Sequence, residues 1–210
     1  MNKTRKRLIE AAEAEFAEKG FYGASIRNIT NRAESNVASV SYHFGSKDEL
    51  LLSMIRHRIE PINEKRFTRL DKALKESDGK PLKVRELVDI LIRPMIEAMN
   101  EDKSRATFMR AIARAISEQT ELTQVLQKEV FAKVISVFGM ELARTLQGNS
   151  PELIKQCFTY IIVCTSGIMH QQQRAQAMQA GPGFPNAENT ITFIAGGIDA
   201  LVASHNSPAT

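Results

Sequence analysis

Hydrogen-bonding side chains are concentrated in one stretch near the start of the sequence, Ser25 to Leu50. Within it, Ser41, Tyr42 and His43 follow one another, and Lys47 comes shortly afterwards. Hydroxyl, ring and ammonium donors can bond phosphate oxygens, and small side chains beside them let a helix lie deep in a DNA major groove. These residue types therefore favour binding to a nucleic acid. The alternative is that each is a tolerated surface residue.

Catalysis is not favoured by the same residues. Ser41 and His43 are two positions apart on a predicted helix, so their side chains do not face each other. The sequence has no pair of acids in a glycine-framed loop and no motif for a metal or a phosphate-binding loop. We therefore predict no catalytic residue, no metal site and no cofactor, and we expect that the chain is not an enzyme.

Two short helices joined by a tight turn are predicted across this stretch. Ser25 can cap the first helix, in which Ile26, Ile29 and Ala33 recur at the spacing of a packed helix face. The turn follows at Glu34–Asn36, whose residue types favour turns and helix caps. Two helices so close in sequence form a helix-turn-helix.

The second helix, Val37–Phe44, places Val40 and Phe44 on one face. With Val40 inward, a step of about 100° per residue turns the opposite side outward. That outer face consists of Ala38 and Tyr42, flanked by Ser39, Ser41 and His43. Val37 lies near the Val40 side, so it is either a base contact or part of the core. Gly45 can end this helix, and Ser46 with Glu49 forms a capping box that opens the next.

Positive charge is concentrated at the same end of the chain. The net charge is +4, and the first 58 residues hold ten Lys and Arg against seven Asp and Glu, whereas the rest hold 18 against 17. Lys3, Arg5, Lys6 and Arg7 lie at the start of the first helix, where positive charge opposes the helix dipole. A polyanionic partner explains this placement, and a solvated basic tail is the alternative.

At these residues the chain closely resembles the tetracycline-repressor (TetR/AcrR) family of bacterial transcription regulators. The resemblance rests on FAEKGFYGASIRNI at Phe16–Ile29 and on SYHFGSKDEL at Ser41–Leu50. It implies that Ser25, Tyr42 and Lys47 bind phosphates and that Val37 and Ala38 approach base edges. Many members have glycine where this chain has Glu34, and lysine where it has Val37. A valine can touch a thymine methyl but cannot hydrogen-bond to guanine. We therefore expect few direct base contacts here and a larger contribution from DNA shape.

The predicted DNA-binding set comprises residues chosen for their side-chain chemistry and residues that the resemblance implies. It comprises Lys3, Arg5, Ser25, Arg27, Asn36, Val37, Ala38, Ser39, Ser41, Tyr42, His43 and Lys47.

The fold class predicted for the whole chain is all-α. We expect a three-helix DNA-binding domain at residues 1–47 and a larger helical ligand-binding and dimerisation domain at residues 48–210. Gly20 is the natural stop of the first helix, and Pro61 should kink or end the helix capped by Ser46. The later helices are predicted at Ile62–Lys75, Leu82–Met99, Ser104–Ser117, Leu122–Leu146, Glu152–Ala180 and Asn189–Ala203.

The sequence starts without a signal peptide pattern, and no apolar run approaches membrane-spanning length, so we expect a cytoplasmic protein. Cys157 and Cys164 are seven residues apart on one helix, which places them about 10 Å apart by helix rise. They cannot bridge within that helix. We interpret them as buried small side chains in a reducing compartment.

The last two predicted helices are apolar nearly all round, with FTYIIVCTSGIM in one and ITFIAGGIDALVA in the other. Such helices are central in a core or are buried by a second chain. Gly167, Gly196 and Gly197 allow close backbone approach. We predict a homodimer through Glu152–Ala180 and Asn189–Ala203, and a single-chain core is the alternative.

The resemblance also implies a small-molecule effector held inside the second domain. The candidate lining is methionine- and phenylalanine-rich, which suits elongated apolar ligands, although such a stripe is equally an ordinary core. It consists of Met95, Met99, Phe108, Met109, Ile112, Phe131, Ile135 and Phe138, with Arg110 and Arg114 available for a carboxylate or phosphate. Similarity to the fatty-acid-responsive branch of the family suggests a fatty acid or acyl thioester.

The leading functional hypothesis is a homodimeric repressor released by its ligand from a palindromic double-stranded DNA operator. The alternative is a DNA-bound adaptor whose helical domain docks another protein without a small ligand.

Overall fold

A computed structural model describes residues 3–101, 124–125, 127–177 and 186–206, together with Phe108 and Ile112. This part of the chain is mainly helical and contains no strand, so the all-α prediction is confirmed. The helices are α1 (Lys3–Gly23), α2 (Ile26–Arg32), α3 (Val37–Phe44), α4 (Lys47–Glu76), α5 (Val84–Glu101), a π-helical turn (Gln127–Phe131), α6 (Ala132–Thr145), α7 (Pro151–Ala177) and α8 (Ala187–Asn206).

The chain divides into two compact units. The first combines residues 1–61 with 102–131, and the second combines residues 62–101 with 132–210. The division falls within α4, so that one helix contributes to both units. The predicted domain boundary between residues 47 and 48 stays a prediction.

Local signals set the first three helices where the sequence predicts them. The backbone leaves the helical conformation at Gly20, whose φ of 70° lies in the left-handed region that favours glycine. Ser25 caps α2, and Asn36 caps α3, which ends at Gly45. The backbone N–H of Glu49 donates to Ser46 Oγ at 3.1 Å, as half of the predicted capping box requires.

Apolar side chains of α1–α4 form the core of the first unit. From α1 come Leu8, Ile9, Ala12 and Phe16, and from α4 come Leu50, Leu51, Met54 and Ile55, all of them buried. Ile29 of α2 and Val40 of α3 are 0% and 1% exposed. Because each short helix buries one side in this core, its other side faces outward.

The helix α4 excludes an end at Pro61, one of the two predicted alternatives, and corrects the predicted helix at Ile62–Lys75. It continues through Pro61 to Glu76 as one 30-residue helix, so Pro61 does not end it, and Ile62–Lys75 is not a separate segment. A proline lacks the backbone N–H, so the turn before it loses one hydrogen bond. Ile59, Ile62 and Leu70, on either side of Pro61, are buried. The packing of these apolar side chains outweighs the hydrogen bond that the proline removes.

The second unit contains α5 to α8, and the chain is not helical at Ser77–Pro81, between α4 and α5. The expected continuous helix Leu122–Leu146 is interrupted, because Gln127–Phe131 is π-helical and α6 begins at Ala132. Cys157 is buried and Cys164 is half-buried. The predicted helix Ser104–Ser117 lies outside the described residues except for Phe108 and Ile112, and so do residues 178–180 of the predicted Glu152–Ala180 helix.

Candidate nucleic-acid interface

Side chains at the start of α2 and α3 hold both helices in place. Ser25 Oγ accepts a hydrogen bond from the Asn28 backbone N–H at 3.1 Å, which uses its oxygen and not its own proton. Asn36 Oδ1 accepts from the backbone N–H of Ser39 at 2.8 Å and from Ser39 Oγ at 2.9 Å. Asn36 and Ser39, both in the predicted DNA-binding set, therefore position the start of α3.

The turn between α2 and α3 contains a strained residue. Glu34 has a φ of 48°, in the left-handed region that a non-glycine residue rarely adopts. Its side chain is 85% exposed and lies 3.4 Å from Arg7 of α1, measured from Oε2 to Nη1. Arg7 Nη2 also donates to the Glu34 carbonyl oxygen at 3.4 Å. The turn requires a backbone conformation that glycine adopts easily, and here a glutamate adopts it.

The outer face of α3 is exposed as predicted from helix geometry. Tyr42 is 84% exposed and Val37 is 53% exposed, whereas Val40 and Phe44 are 1% and 8% exposed. Ala38 and Ser41 are exposed, and Ser39 and His43 are half-buried. The exposure of Val37 excludes the interpretation that it belongs to the core. The helix contains no acidic residue. Its outer face can therefore approach a polyanion without charge repulsion.

Basic residues of α1 and α4 lie close to the C-terminal end of α3. The guanidinium of Arg5 in α1 stacks on the Phe44 ring at 5.1 Å from the ring centroid, a cation–π contact. Lys47 opens α4 and is half-buried. Burial lowers the pKa of the Lys47 ammonium, and the adjacent Asp48 acts in the opposite direction. Lys3 and Arg27 are exposed.

Sequence reasoning missed the charged network behind the helix-turn-helix. Glu15 of α1 is buried, and it accepts from Asn28 Nδ2 at 2.9 Å and pairs with Arg32 at 3.3 Å. Glu13 is also buried and pairs with Arg58 of α4 at 2.7 Å. These partners are 13 to 45 residues apart, so no local spacing connects them. The network ties α1 to α2 and to the first half of α4.

The predicted ligand-lining residues differ in their burial and in the unit to which they belong. Met95, Met99 and Phe138 are buried in the second unit, and Phe108 and Ile112 are buried in the first. Phe131 is half-buried. Ile135 is 41% exposed and so does not line an enclosed cavity in this chain. Met109, Arg110 and Arg114 lie outside the described residues.

The second unit contains a cluster of apolar side chains around a crevice too small to admit a water molecule. Its lining includes Phe138 from the predicted set, together with Leu87, Val88 and Leu91 of α5 and Phe158 of α7. No group of three metal-ligating side chains occurs among the residues that the structure describes. Within the same residues, no helix has both the length and the hydropathy needed to cross a bilayer.

The predicted dimer helices carry exposed apolar stripes. On α7, Tyr160 and Val163 are 54% and 59% exposed, and on α8 Phe193 is 74% exposed. Gly196 and Gly197 follow Phe193 on the same side of α8, and a Cβ added at either would meet no atom within 4 Å. The opposite side of α8 buries Ile191, Ile194, Ala195 and Ile198.

An N-terminal helix-turn-helix followed by a helical second part is the architecture of helix-turn-helix DNA-binding regulators. Two family models match the chain. The model for bacterial regulatory proteins of the tetR family matches residues 8–54. The model for the C-terminal domain of tetracyclin repressor-like proteins matches residues 89–197. The chain therefore belongs to the TetR family of bacterial regulatory proteins, as the resemblance predicted, and it is a regulator rather than an enzyme.

Curated relatives share part of the sequence. The HTH-type transcriptional repressor NicS of Pseudomonas putida is 35% identical over 63 residues, which are 30% of this chain and 30% of that protein. The HTH-type transcriptional dual regulator CecR of Shigella flexneri is 27% identical over 135 residues, 63% of this chain and 60% of that protein. The chain thus spans less than two thirds of either relative.

Solved structures share the fold over nearly the whole chain. FadR from Bacillus subtilis, in complex with stearoyl-CoA, has a TM-score of 0.64 at 15% identity and covers 91% of this chain and 98% of its own. A TetR-like transcriptional regulator from Rhodococcus sp. RHA1 has a TM-score of 0.60 at 14% identity, over 98% and 97% of the two chains.

Proposed function

We propose that the chain is a transcriptional repressor that binds duplex DNA through α3. The observation that carries the proposal is the outer face of this helix, where Tyr42 and Val37 are 84% and 53% exposed while Val40 and Phe44 anchor the other side. A helix held at both ends by caps presents this face in one orientation. An exposed, acid-free helix of this kind fits the major groove.

The individual roles follow from the chemistry of each side chain. The Tyr42 hydroxyl, the Ser25 hydroxyl and the Lys47 ammonium bond phosphate oxygens, which positions α3 on the duplex. Val37 and Ala38 lie against base edges, where an apolar group can contact a thymine methyl. Because such contacts discriminate few bases, sequence-dependent DNA shape contributes to the choice of operator.

The test is a selection of bound sequences from random DNA, followed by fluorescence anisotropy on the winning duplex. We expect Tyr42→Phe to weaken binding about tenfold or more, since it deletes a hydrogen bond to a charged phosphate. Ser77→Ala, which deletes a hydroxyl in the turn after α4, outside both proposed interfaces, should leave the affinity unchanged. Equal affinity of both variants, or binding that does not weaken with salt, would remove the proposal.

The repressor is proposed to act as a homodimer through α7 and α8. The exposed stripe of Tyr160, Val163 and Phe193 supports this, because large apolar side chains gathered on one face are usually covered by a partner. Two copies of α3 related by a two-fold axis would read a palindromic operator. Light scattering should report a dimer for the wild type and a monomer for Phe193→Glu. Met140→Glu changes an exposed methionine of α6 and should stay dimeric. A Phe193→Glu dimer would contradict the interface.

A small molecule is proposed to release the repressor by binding the second unit. Its apolar lining would be the side chains gathered around Phe138, among them Leu91 and Phe158, which leave no room for a ligand until the helices move apart. Release requires that the ligand bind the DNA-free conformation more tightly than the DNA-bound one. The narrower proposal of a fatty acid or acyl thioester rests on the wording of the recognition segment. The FadR complex shows that a framework of this fold holds stearoyl-CoA.

A further inference from the structure

One buried carboxylate of the first unit connects α1 to both ends of α2. Glu15 of α1 is 1% exposed. Its Oε1 accepts a hydrogen bond from Asn28 Nδ2 at 2.9 Å, and its Oε2 lies 3.3 Å from Arg32 Nε. Asn28 lies in the first turn of α2 and Arg32 in the last. Because the two residues are four positions apart, they project from the same side of that helix, toward α1.

Apolar packing alone fixes the orientation of α2 weakly. The helix has seven residues, of which Ile29 and Thr30 are buried. Thr30 Oγ1 donates to the carbonyl oxygen of Arg27 at 3.0 Å, so its hydroxyl bonds within α2 and not to another helix. Ile29 is then the one large apolar side chain buried by α2, all of whose residues the structure describes. A single side chain leaves rotation about the helix axis poorly determined, whereas the two contacts with Glu15 restrict it.

The contact with Asn28 leads to a proposed phosphate contact. The backbone N–H of Asn28 donates to Ser25 Oγ at 3.1 Å. This bond uses the oxygen of the hydroxyl and leaves its proton to donate to a phosphate. Rotation of α2 about its axis would move Ser25 and Asn28 together and turn that proton away from the duplex. Glu15 is buried and negatively charged, so it supports this contact without touching DNA itself.

A carboxylate at this position affects orientation more than stability. Buried ion pairs often stabilise a fold no more than apolar side chains of similar volume, because desolvation offsets their attraction. Hydrogen bonds to a carboxylate are nevertheless strong and directional. The Arg32 side chain is 41% exposed and also pairs with Glu18 at 2.7 Å, so it keeps a partner when Glu15 is replaced. An apolar side chain in place of Glu15 should therefore loosen the orientation of α2 and leave most of the stability.

We propose that Glu15 is a positioning residue for DNA binding, which orients α2 through Asn28 so that the Ser25 hydroxyl meets a phosphate. This inference rests on the proposed function, because it specifies how part of the DNA-binding surface is held in place. Glu13, a second buried carboxylate of α1, offers a matched comparison, since it pairs with Arg58 of α4 at 2.7 Å. Its partner lies on a different helix, so Glu13 does not orient α2.

A double-mutant cycle on the selected operator duplex, measured by fluorescence anisotropy, tests this role. Ser25→Gly removes the hydroxyl but keeps a residue that starts a helix nearly as well. In wild type it should weaken binding about tenfold, since a hydrogen bond to a charged phosphate is lost. Glu15→Leu should weaken binding by a similar factor. Adding Ser25→Gly to Glu15→Leu should then cost less than about threefold, because the contact is already lost. In Glu13→Gln, Ser25→Gly should keep its full effect.

Urea denaturation of the same variants separates orientation from folding. Glu15→Leu should keep its urea midpoint within about 0.5 M of wild type. Glu13→Gln should lower the midpoint further, yet leave the operator affinity of the folded protein within about twofold of wild type. Glu15→Gln keeps an acceptor for Asn28 Nδ2 and should retain part of the affinity that Glu15→Leu loses. It also provides the cycle with a nearly isosteric variant if the leucine variant does not fold.

The outcomes separate this inference from the proposed function. Wild-type affinity in Glu15→Leu, or a full tenfold effect of Ser25→Gly in that background, would overturn the positioning role. The same coupling between Ser25 and Glu13→Gln would also overturn it, because a general loss of stability would then explain both. Wild type that binds the operator and loses nothing in Ser25→Gly refutes the positioning role alone. Wild type that does not bind duplex DNA refutes the proposed function.

Discussion

The two units of the chain treat buried charge in opposite ways. In the first unit, the buried carboxylates of Glu13 and Glu15 meet Arg58 and Arg32 at 2.7 and 3.3 Å. In the second unit, the buried guanidinium of Arg66 meets the neutral oxygens of Leu91 and Asn63. Paired charges suit a unit that must present α3 in one orientation. Neutral acceptors leave the second unit with a buried charge whose removal should cost the fold little.

The largest expected effect comes from breaking a pair in the first unit. Arg58→Met leaves the Glu13 carboxylate buried without this partner, and the expected loss is about 3 kcal/mol of unfolding free energy. Urea denaturation of the full chain measures it. The control is Arg56→Met, which breaks a more exposed pair with Glu129 and should cost less than about 1 kcal/mol. Equal losses of unfolding free energy for the two variants would show that the buried pair stabilises the fold no more than the exposed one.

The bounds of α2 and α3 could be predicted because their signals are local. Ser25, Asn36 and Gly45 act on backbone groups within a few residues, so the sequence alone places them. The passage of α4 through Pro61 was not predictable in the same way, since it depends on apolar contacts from other helices. The π-helical turn before α6 has no signal that we recognise in the sequence.

In the candidate site, too, local features could be predicted from the sequence, whereas contacts between distant residues could not. The exposed face of α3 follows from helix periodicity once Val40 is taken as inward. The Glu13–Arg58 pair joins residues 45 positions apart, and Arg66 lies in a segment that reads only as basic and moderately amphipathic. Whether a charged residue is buried depends on the packing of distant segments, which spacing along one helix does not report.

The next effect concerns the cap of the recognition helix. Asn36→Ala removes the acceptor for the Ser39 N–H, and we expect a loss of about 1 kcal/mol of stability with weaker DNA binding. Asn36→Asp keeps an acceptor and should retain the stability, yet it adds a negative charge close to DNA and should still reduce the affinity. Thermal unfolding and anisotropy measure the two properties separately. If Asn36→Asp is as unstable as Asn36→Ala, the cap is not the cause.

A smaller effect of opposite sign is expected in the turn. Glu34→Gly places glycine at a φ of 48°, which it adopts without steric penalty, and we expect a gain of up to about 1 kcal/mol. Loss of the exposed contact with Arg7 subtracts little from this gain. Glu34→Ala removes the same contact but keeps a Cβ, so it should show no gain. A Glu34→Gly variant less stable than Glu34→Ala would mean that the glutamate side chain supports the turn.

The smallest effect is expected for Arg66, the buried cation of the second unit. Arg66→Met replaces a buried cation that lacks a counter-ion with an apolar side chain of similar length, so it removes a desolvation cost together with two hydrogen bonds. The Leu91 carbonyl lies inside α5, where the helix itself offers it a backbone donor. These contributions nearly cancel, and urea denaturation should give a change within about 1 kcal/mol of wild type, against about 3 kcal/mol for Arg58→Met. A cost for Arg66→Met as large as that for Arg58→Met would mean that Arg66 stabilises the fold as the first unit's arginines do, and the contrast between the two units would disappear.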